Sequence, residues 1–369
     1  MSAISCVPDN PGEIEWDVAV IGTGMGGATA GYELARLGHR VLFIEKGLFL
    51  HGASTGAGDA ALPPGQDAPE SPEARLKSGQ WPERLQGRTS FGDLEFFAPL
   101  GCGSGGSTTL YAAGLERLSP ADFRPRANFP EIGDSTLPEK WPISYEELLP
   151  FYERAEHLYR VSGTPDPLDL SGEPVLRAPP PLSPRDQHFF DSFSKLGLHP
   201  YRVHVGYEFV EGCNGCAPGR CARNCKSDAA RICLLPALEK FGASLLSQCE
   251  VLGLEADASK VSAVRCLWKG QSLSIRAKTV VLAAGAYMTP VLLLNSRSDS
   301  WPAGLANSSG LVGRNLMFHA SDFIAMNPLR RLSDVGPHKS LALNDFYQSG
   351  GEKLGTFQSA GTPVGNRWP

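Results

Sequence analysis

The chain has no excess of positive charge. Lys and Arg (34) are fewer than Asp and Glu (39), giving a net charge of -5 and a pI near 5.9. That leaves no basic field for a nucleic acid or an anionic membrane. No apolar run reaches membrane-spanning length. The first residues lack a basic segment leading into a long apolar stretch, so they do not read as a signal peptide. Cytoplasm is the expected location, with export alongside a signal-bearing partner left open. No internal repeat is evident. The cysteine count of nine is odd, and four of them fall within thirteen residues, which argues against a secreted disulfide framework and for a local cluster. What the chain has in quantity is backbone punctuation. Its 41 Gly and 30 Pro in 369 residues predict long ordered loops, and the length fits a two-domain enzyme or one large α/β domain with an inserted lobe.

The first pattern with chemical content is a βαβ unit. Asp17 to Ile21 is a short continuous apolar run of the kind buried on both faces of a parallel sheet. It leads into Gly22-Thr23-Gly24-Met25-Gly26-Gly27, which opens a helix continuing to Gly38, and His39 to Glu45 reads as a second strand. A lone G-x-G-x-x-G says little. Here it follows a strand, starts a helix and is followed eighteen residues after Gly27 by Glu45 at the end of the next strand. Gly22 permits the tight turn, Gly24 lets the backbone approach a pyrophosphate at the positive end of the helix, and Gly27 allows close helix packing. An acidic Glu45 is suited to a ribose diol and disfavours a 2'-phosphate. FAD and NAD share this cradle, so the motif alone leaves them unresolved.

Further along, residues 47–87 read as surface loop and Gly101 to Ser107 is a second glycine run. Trp141 to Val161 is a predicted helix entered through Pro142, with Ser144 and Glu147 forming a capping box. Residues 162–184 look like a linker between lobes, residues 244–254 and 261–268 like paired strands, and Thr279 to Ala283 like another buried strand.

Five collinear segments resemble the glucose-methanol-choline (GMC) flavin oxidoreductases: the first βαβ unit, Gly101 to Leu110, Trp141 to Glu156, Ala283 to Ser296, and Gly310 to His319. The resemblance implies an α/β fold, a Rossmann-like FAD-binding domain with an incomplete α+β substrate lobe. It also implies bounds: a first FAD-binding part over 1–140, a substrate lobe with the cysteine-rich loop over 141–240, a second FAD-binding part over 241–320, and the start of a substrate-domain sheet over 321–369. The implied function is oxidation of CH-OH groups of an alcohol, polyol or sugar by hydride transfer to flavin, with electrons passing to oxygen, a quinone or an acceptor protein. The implied cofactor positions are Gly22, Gly24, Met25, Gly26, Gly27, Glu45 and Lys46, then Gly101, Gly105, Gly106, Ser107 and Thr108, then Val251, Gly285, Thr289 and Pro290. Where some relatives carry a flavin-linked histidine this chain has Leu110, and where many have asparagine it has Tyr111, so non-covalent FAD is expected. The family's C-terminal catalytic histidine pair is expected to be absent from this chain, and neither His319 nor His338 is assigned as a general base. Two other readings stay open, a flavin-binding fragment or electron-relay subunit without turnover, and an NAD-dependent Rossmann dehydrogenase.

Cys213, Cys216, Cys221 and Cys225 lie among glycines that can bend the backbone round them. An iron-sulfur cluster, a zinc ion, or paired or free thiols without metal all fit that spacing. Arg220, Arg223 and Lys226 are expected to lower the nearby thiol pKa values and favour thiolate.

Overall fold

The computed structural model describes residues 7, 9–50, 71–169, 171–211, 213, 215, 219–221, 223–324, 332, 333, 337, 339–348 and 353–360. The chain divides into two compact units, Met1–Leu110 with Asp228–Ala325, and Tyr111–Ser227 with Met326–Pro369.

The first unit is built on β1 (Glu15–Ile21), α1 (Met25–Arg36) and β2 (Val41–Ile44), the predicted βαβ unit. β1 pairs in parallel with β2, Val18 opposite Val41 through Ile21 opposite Ile44. All four residues of β2 are buried, as two-sided coverage requires. α1 lies close on this sheet because Gly31 has no side chain. A Cβ there would stand 2.3 Å from the ring of Phe43.

The stretch predicted as loop over 47–87 is more ordered than expected where it is described. It contains α2 (Pro72–Lys77), started by Ser71, whose hydroxyl accepts from Ala74 N, and its end enters β3 (Arg84–Thr89). β3 pairs antiparallel with β4 (Gly92–Phe97). Proline at the first helical position and a serine cap are a start signal that the surrounding Gly and Pro content hid.

Past residue 228 the unit resumes with a π-helical turn (Ala230–Leu234), α5 (Leu235–Lys240) and β6 (Ser244–Leu246), which joins β2 in parallel. The expected single strand over 244–254 is broken, because Gln248 takes a positive φ of 54° and redirects the chain. β7 (Cys249–Ala256) then pairs antiparallel with β8 (Val261–Trp268). β9 (Gln271–Leu282) is longer than the predicted Thr279 to Ala283. Its first half pairs antiparallel with β8 and its second half parallel with β1, giving the strand order β6-β2-β1-β9-β8-β7. It is also not the fully buried strand expected. Ile275 and Ala277 are buried, Arg276, Lys278 and Thr279 are exposed, and Val280 to Leu282 are half-buried, the alternation of a strand with one wet face. Apolar side chains from β1, β2, β7, β8 and β9 make one core, with Trp16, Ile44, Leu246, Val264 and Ile275 at its centre. α6 (Gly285–Asn295) follows β9 directly.

The second unit holds α3 (Tyr145–Leu158), α4 (Pro184–Lys195) and a small antiparallel sheet of β11 (Phe357–Gln358), β10 (Leu341–Leu343) and β5 (Tyr201–Arg202). The capping box is formed, with Glu147 N donating to Ser144 Oγ at 3.2 Å and Ser144 N donating to Glu147 Oε2 at 2.8 Å. α3 is held to its unit by a buried ion pair. Arg117 Nε and Nη2 grip Glu156 at 2.5 and 2.7 Å, both side chains being 5% exposed. Residues 162–184, expected as a linker between lobes, lie wholly inside this unit. Ser162 bridges to Val205, and Val175 N donates to Glu156 Oε2 at 2.7 Å. Proline-rich backbone here is ordered packing.

Candidate dinucleotide-binding site

The site gathers at the C-terminal ends of β1, β2 and β9. Gly22 ends β1 with φ +96°, and a Cβ there would stand 2.5 Å from Ala283 O, so the turn admits only glycine. Gly27 is equally constrained, since its Cβ would stand 2.0 Å from Gly22 O. Gly24 differs. It is the N-cap of α1 with φ -68° and ψ -170°, gives no side-chain cap, and a Cβ on it would meet nothing within 4 Å. Gly26 faces the same kind of open space, and the first turn of α1, Met25 included, contains no acidic residue. The first N-H groups of a helix have no intrahelical acceptor and carry the positive end of its dipole, as anion binding needs.

The second glycine run folds onto the first. A Cβ on Gly106 would stand 2.9 Å from Gly24 Cα, and one on Gly101 would stand 2.4 Å from Gly106 C. Gly103, Gly105 and Gly106 have φ of +134°, +88° and +53°. The side chains of Ser107 and Thr108 work inward on this loop. Gly101 N donates to Ser107 Oγ at 2.9 Å, while Thr108 Oγ1 donates to Gly105 O at 2.6 Å and accepts from Ala229 N at 2.9 Å. Two neighbours that sequence reasoning passed over complete the arrangement. Ser104 is fully buried with its hydroxyl accepting from Leu50 N at 2.9 Å, and Thr23 is fully buried inside the fingerprint.

Glu45 is the hub. Its Oε2 accepts from Thr23 N at 3.1 Å and Thr23 Oγ1 at 2.7 Å, and its Oε1 accepts from Gly47 N at 2.9 Å and Gly103 N at 3.1 Å. The carboxylate expected to face a ribose thus ties three loops together, 7% exposed. Lys46 turns its ammonium to Glu83 and Glu250 at 3.0 and 2.9 Å and lies over the Trp81 ring. Burial alone would lower its pKa, but the hydrogen bonds it donates to Glu250 and Glu83 outweigh that and raise it. This pair also brings β7 to the loop: Cys249 N donates to Glu45 O at 2.9 Å, which sets Val251 two residues past that junction. On the far side, Ala283 N donates to Ile21 O at 2.9 Å and Gly285, φ +77°, starts α6 beside the Gly22 turn. Thr289 and Pro290 lie a turn further along α6, half-buried. Burial, then Glu45, pushes the Cys102 thiol well above its ordinary range, so it is an inert neighbour.

The described residues fit an FAD pyrophosphate on these grounds: orphan helix N-H groups, a glycine lip with room in front of Gly24, and no acidic residue in the first turn of α1. Leu110 ends the 3-10 turn that begins at Gly106 and offers no nucleophile to a flavin. His319 is exposed, and His338 lies outside the described residues.

The cysteine cluster belongs to the second unit. Cys225 Sγ lies 3.3 Å from both Cys213 Sγ and Cys221 Sγ, while Cys216 lies outside the described residues. The expectation of low thiol pKa values is overturned at Cys225. Burial pushes that thiol up, and contact with the Cys213 and Cys221 thiols adds to it. Two of the three cations donate to carbonyl oxygens: Lys226 Nζ to Tyr111 O and Gly219 O at 2.8 and 2.7 Å, and Arg223 to Glu211 O at 2.9 Å. Among the described residues, no group of three or more His, Cys, Asp or Glu side chains is arranged to hold a metal ion.

Comparison with known families bears on the cofactor. A model described as FAD dependent oxidoreductase matches residues 17–141, and one described as GMC oxidoreductase matches residues 139–321. The chain belongs to the GMC oxidoreductase family. Among its curated GMC relatives, 6'''-hydroxyparomomycin C oxidase of Streptomyces lividus is 29% identical over 90% of this chain and 61% of its own length. Paromamine 6'-oxidase of Streptomyces fradiae is 29% identical over 90% and 60%. The large subunit of fructose dehydrogenase of Gluconobacter japonicus is 28% identical over 82% and 58%. This GMC chain therefore spans about six tenths of the length of the curated relatives it matches. Among solved structures, pyridoxine 4-oxidase from Mesorbium loti aligns with a TM-score of 0.51 at 20% identity, over 76% of this chain and 52% of that one, and shows the shared fold. Among the described residues no helix is long and apolar enough to cross a membrane.

Proposed function

We propose that this GMC chain binds FAD without a covalent link and serves the two-electron oxidation of a CH-OH group in a small alcohol, polyol or sugar. The observation that carries the reading is the lip of Gly24 and Gly106, two backbones in contact beside an uncapped helix N-terminus, with nothing of the protein filling the space before Gly24. Bound FAD supplies the hydride acceptor for such a reaction. The chain's own contribution is to hold the dinucleotide. The first turn of α1 and the backbone of Gly105 and Gly106 would take the pyrophosphate, the Glu45 loop and Val251 would border the ribose and adenine, and Gly285 with Thr289 and Pro290 would border the cofactor from α6. The substrate class draws support from the names of the relatives, oxidases of 6'''-hydroxyparomomycin C and paromamine and dehydrogenases of fructose and 2-methyl-1,2-propanediol. Electron delivery to an acceptor protein or a quinone, and a cytoplasmic site, are parts of the same proposal.

The test uses Gly24→Ala. Its Cβ meets no protein atom and the backbone is one any residue adopts, so the flavin-free variant should unfold within about 0.5 kcal/mol of wild type, yet purify with little flavin. Loss of stability without flavin, or full flavin content, would refute the placement. Acid precipitation should release the yellow chromophore to the supernatant; colour retained in the pellet would show a covalent link. Purification without any flavin absorbance would count against FAD and for the NAD-dependent alternative. An iron-sulfur or zinc site at Cys213, Cys216, Cys221 and Cys225 draws its support from the contact of Cys225 with both Cys213 and Cys221. Metal analysis with electron paramagnetic resonance of anaerobically prepared protein decides it, absence of iron and zinc leaving a cluster of thiols.

A further inference from the structure

The second unit contains a groove that the flavin site does not use. Thr164, Leu182, Pro184, Gln187, Phe190 and Arg202 line it, with a volume of about 490 Å³, within the range of small-molecule sites. Arg202 sits on β5, where its neighbours Tyr201 and Val203 turn into the core and leave it on the other face. Its backbone is fixed, with N donating to Thr164 Oγ1 at 3.0 Å, and its Nε donates to Ser340 O at 3.2 Å. The two terminal guanidinium nitrogens have no hydrogen bond or ion pair among the described residues. The nearby carboxylate of Asp186 is already taken by Arg185 Nε at 2.8 Å and Ser340 Oγ at 2.6 Å. Burial lowers the Arg202 pKa and Asp186 only partly offsets it, as expected of a cation drawn from water without a close counter-ion.

A half-buried guanidinium with its Nε anchored and its fork unengaged among the described residues is arranged for a bidentate anion. Leu182, Pro184 and Phe190 give it apolar walls, Thr164 and Gln187 are its other polar lining, and among the described residues no second cation lines the groove. We propose that this groove binds a small monocarboxylate with an apolar body, the carboxylate on the Arg202 fork and the body against Phe190 and Leu182. A phosphate dianion would find one cation and few donors there.

The experiment is calorimetric titration of the full chain, as purified, with benzoate, benzamide, acetate and inorganic phosphate, repeated on Arg202→Gln, Arg202→Lys and Phe190→Ala. Saturable benzoate binding is expected, with benzamide, acetate and phosphate each at least about tenfold weaker. Arg202→Gln should weaken benzoate about tenfold or more, Arg202→Lys less, since it keeps the charge but not the fork. Phe190→Ala should weaken it severalfold. Should Arg202→Gln lose the Ser340 contact and fail to fold, the benzoate and benzamide comparison and the Phe190 variant still decide. Benzamide binding as well as benzoate, phosphate binding as tightly, unchanged binding in folded Arg202→Gln, or benzoate that perturbs the flavin spectrum would overturn the assignment.

Discussion

Removing the Glu45 carboxylate separates a structural hub from a ligand contact. In Glu45→Ala the N-H groups of Thr23, Gly47 and Gly103 all lose their acceptor in a nearly water-free place, while the Thr23 hydroxyl can fall back on Gly103 O, 3.4 Å away. Each stranded buried donor costs about 1–3 kcal/mol. Three of them, partly relieved by water entering the space of the lost side chain, give about 3–5 kcal/mol. Glu45→Gln keeps one acceptor oxygen. Its amide nitrogen is best placed on the Thr23 side, where the hydroxyl can accept but Thr23 N cannot, so about 1–3 kcal/mol is expected. The measurement is guanidinium unfolding of flavin-free protein, since bound flavin would add its own stabilisation, combined with hydrogen exchange of the peptide carrying Gly103. The Gly47 and Gly103 segments should exchange faster in Glu45→Ala, whereas in Glu45→Gln the faster exchange should fall on the Thr23 segment. If Glu45→Ala unfolds at the wild-type midpoint and only loses flavin, the carboxylate is a ribose acceptor and the hub argument fails.

Two further outcomes follow from the same geometry. Glu156→Gln strips the charge from a buried bidentate pair and leaves Arg117 uncompensated, so the second unit should lose about 3–5 kcal/mol, read as earlier melting of α3 by hydrogen exchange; a change within about 0.5 kcal/mol would show the pair to be dispensable. Asp17 is held down from 3.8 to about 2 by the Lys278 hydrogen bond and the Arg40 backbone N-H. Because its folded pKa is the lower one, the unfolded chain takes up the proton first, and wild type should lose its advantage over Asp17→Asn as pH falls through about 4 to 2. An acid-unfolding difference between the two proteins that is flat across that window contradicts it.

Much of the site was legible because glycine is chosen by geometry, and geometry repeats. Gly22 and Gly27 could be placed by reading alone, since a strand, a tight turn and a helix leave no room for a Cβ. The direction in which Glu45 points was not legible. An acid at the end of a second strand can face a ligand or turn back to its own loops, and what decides is the register of the run at Gly101 to Thr108, far away in sequence. Lys226 shows the same limit. Its charge suggested an effect on the thiols beside it, but the ammonium is spent on two carbonyl oxygens that only the folded loop brings near. Long-range pairing also explains β9, whose second half belongs beside β1 and whose first half belongs to a local hairpin, a division no periodicity in the strand announces. The helix at Pro72 was missed for a local reason, its proline counting as loop composition when it is a start signal.

The strand neighbours of β1 have a consequence for biosynthesis. β2 is made at once, but β9, which closes the other edge of β1, emerges more than two hundred residues later, and β5 in the second unit likewise waits for β10. Each unit is interrupted by the other, so neither sheet can be finished before translation has passed through its companion. At about 5–20 residues per second, β1 would present an unpaired apolar edge for tens of seconds. Until β9 is made, that edge is open to pairing with another chain. Slower translation or limiting chaperone should therefore reduce its yield.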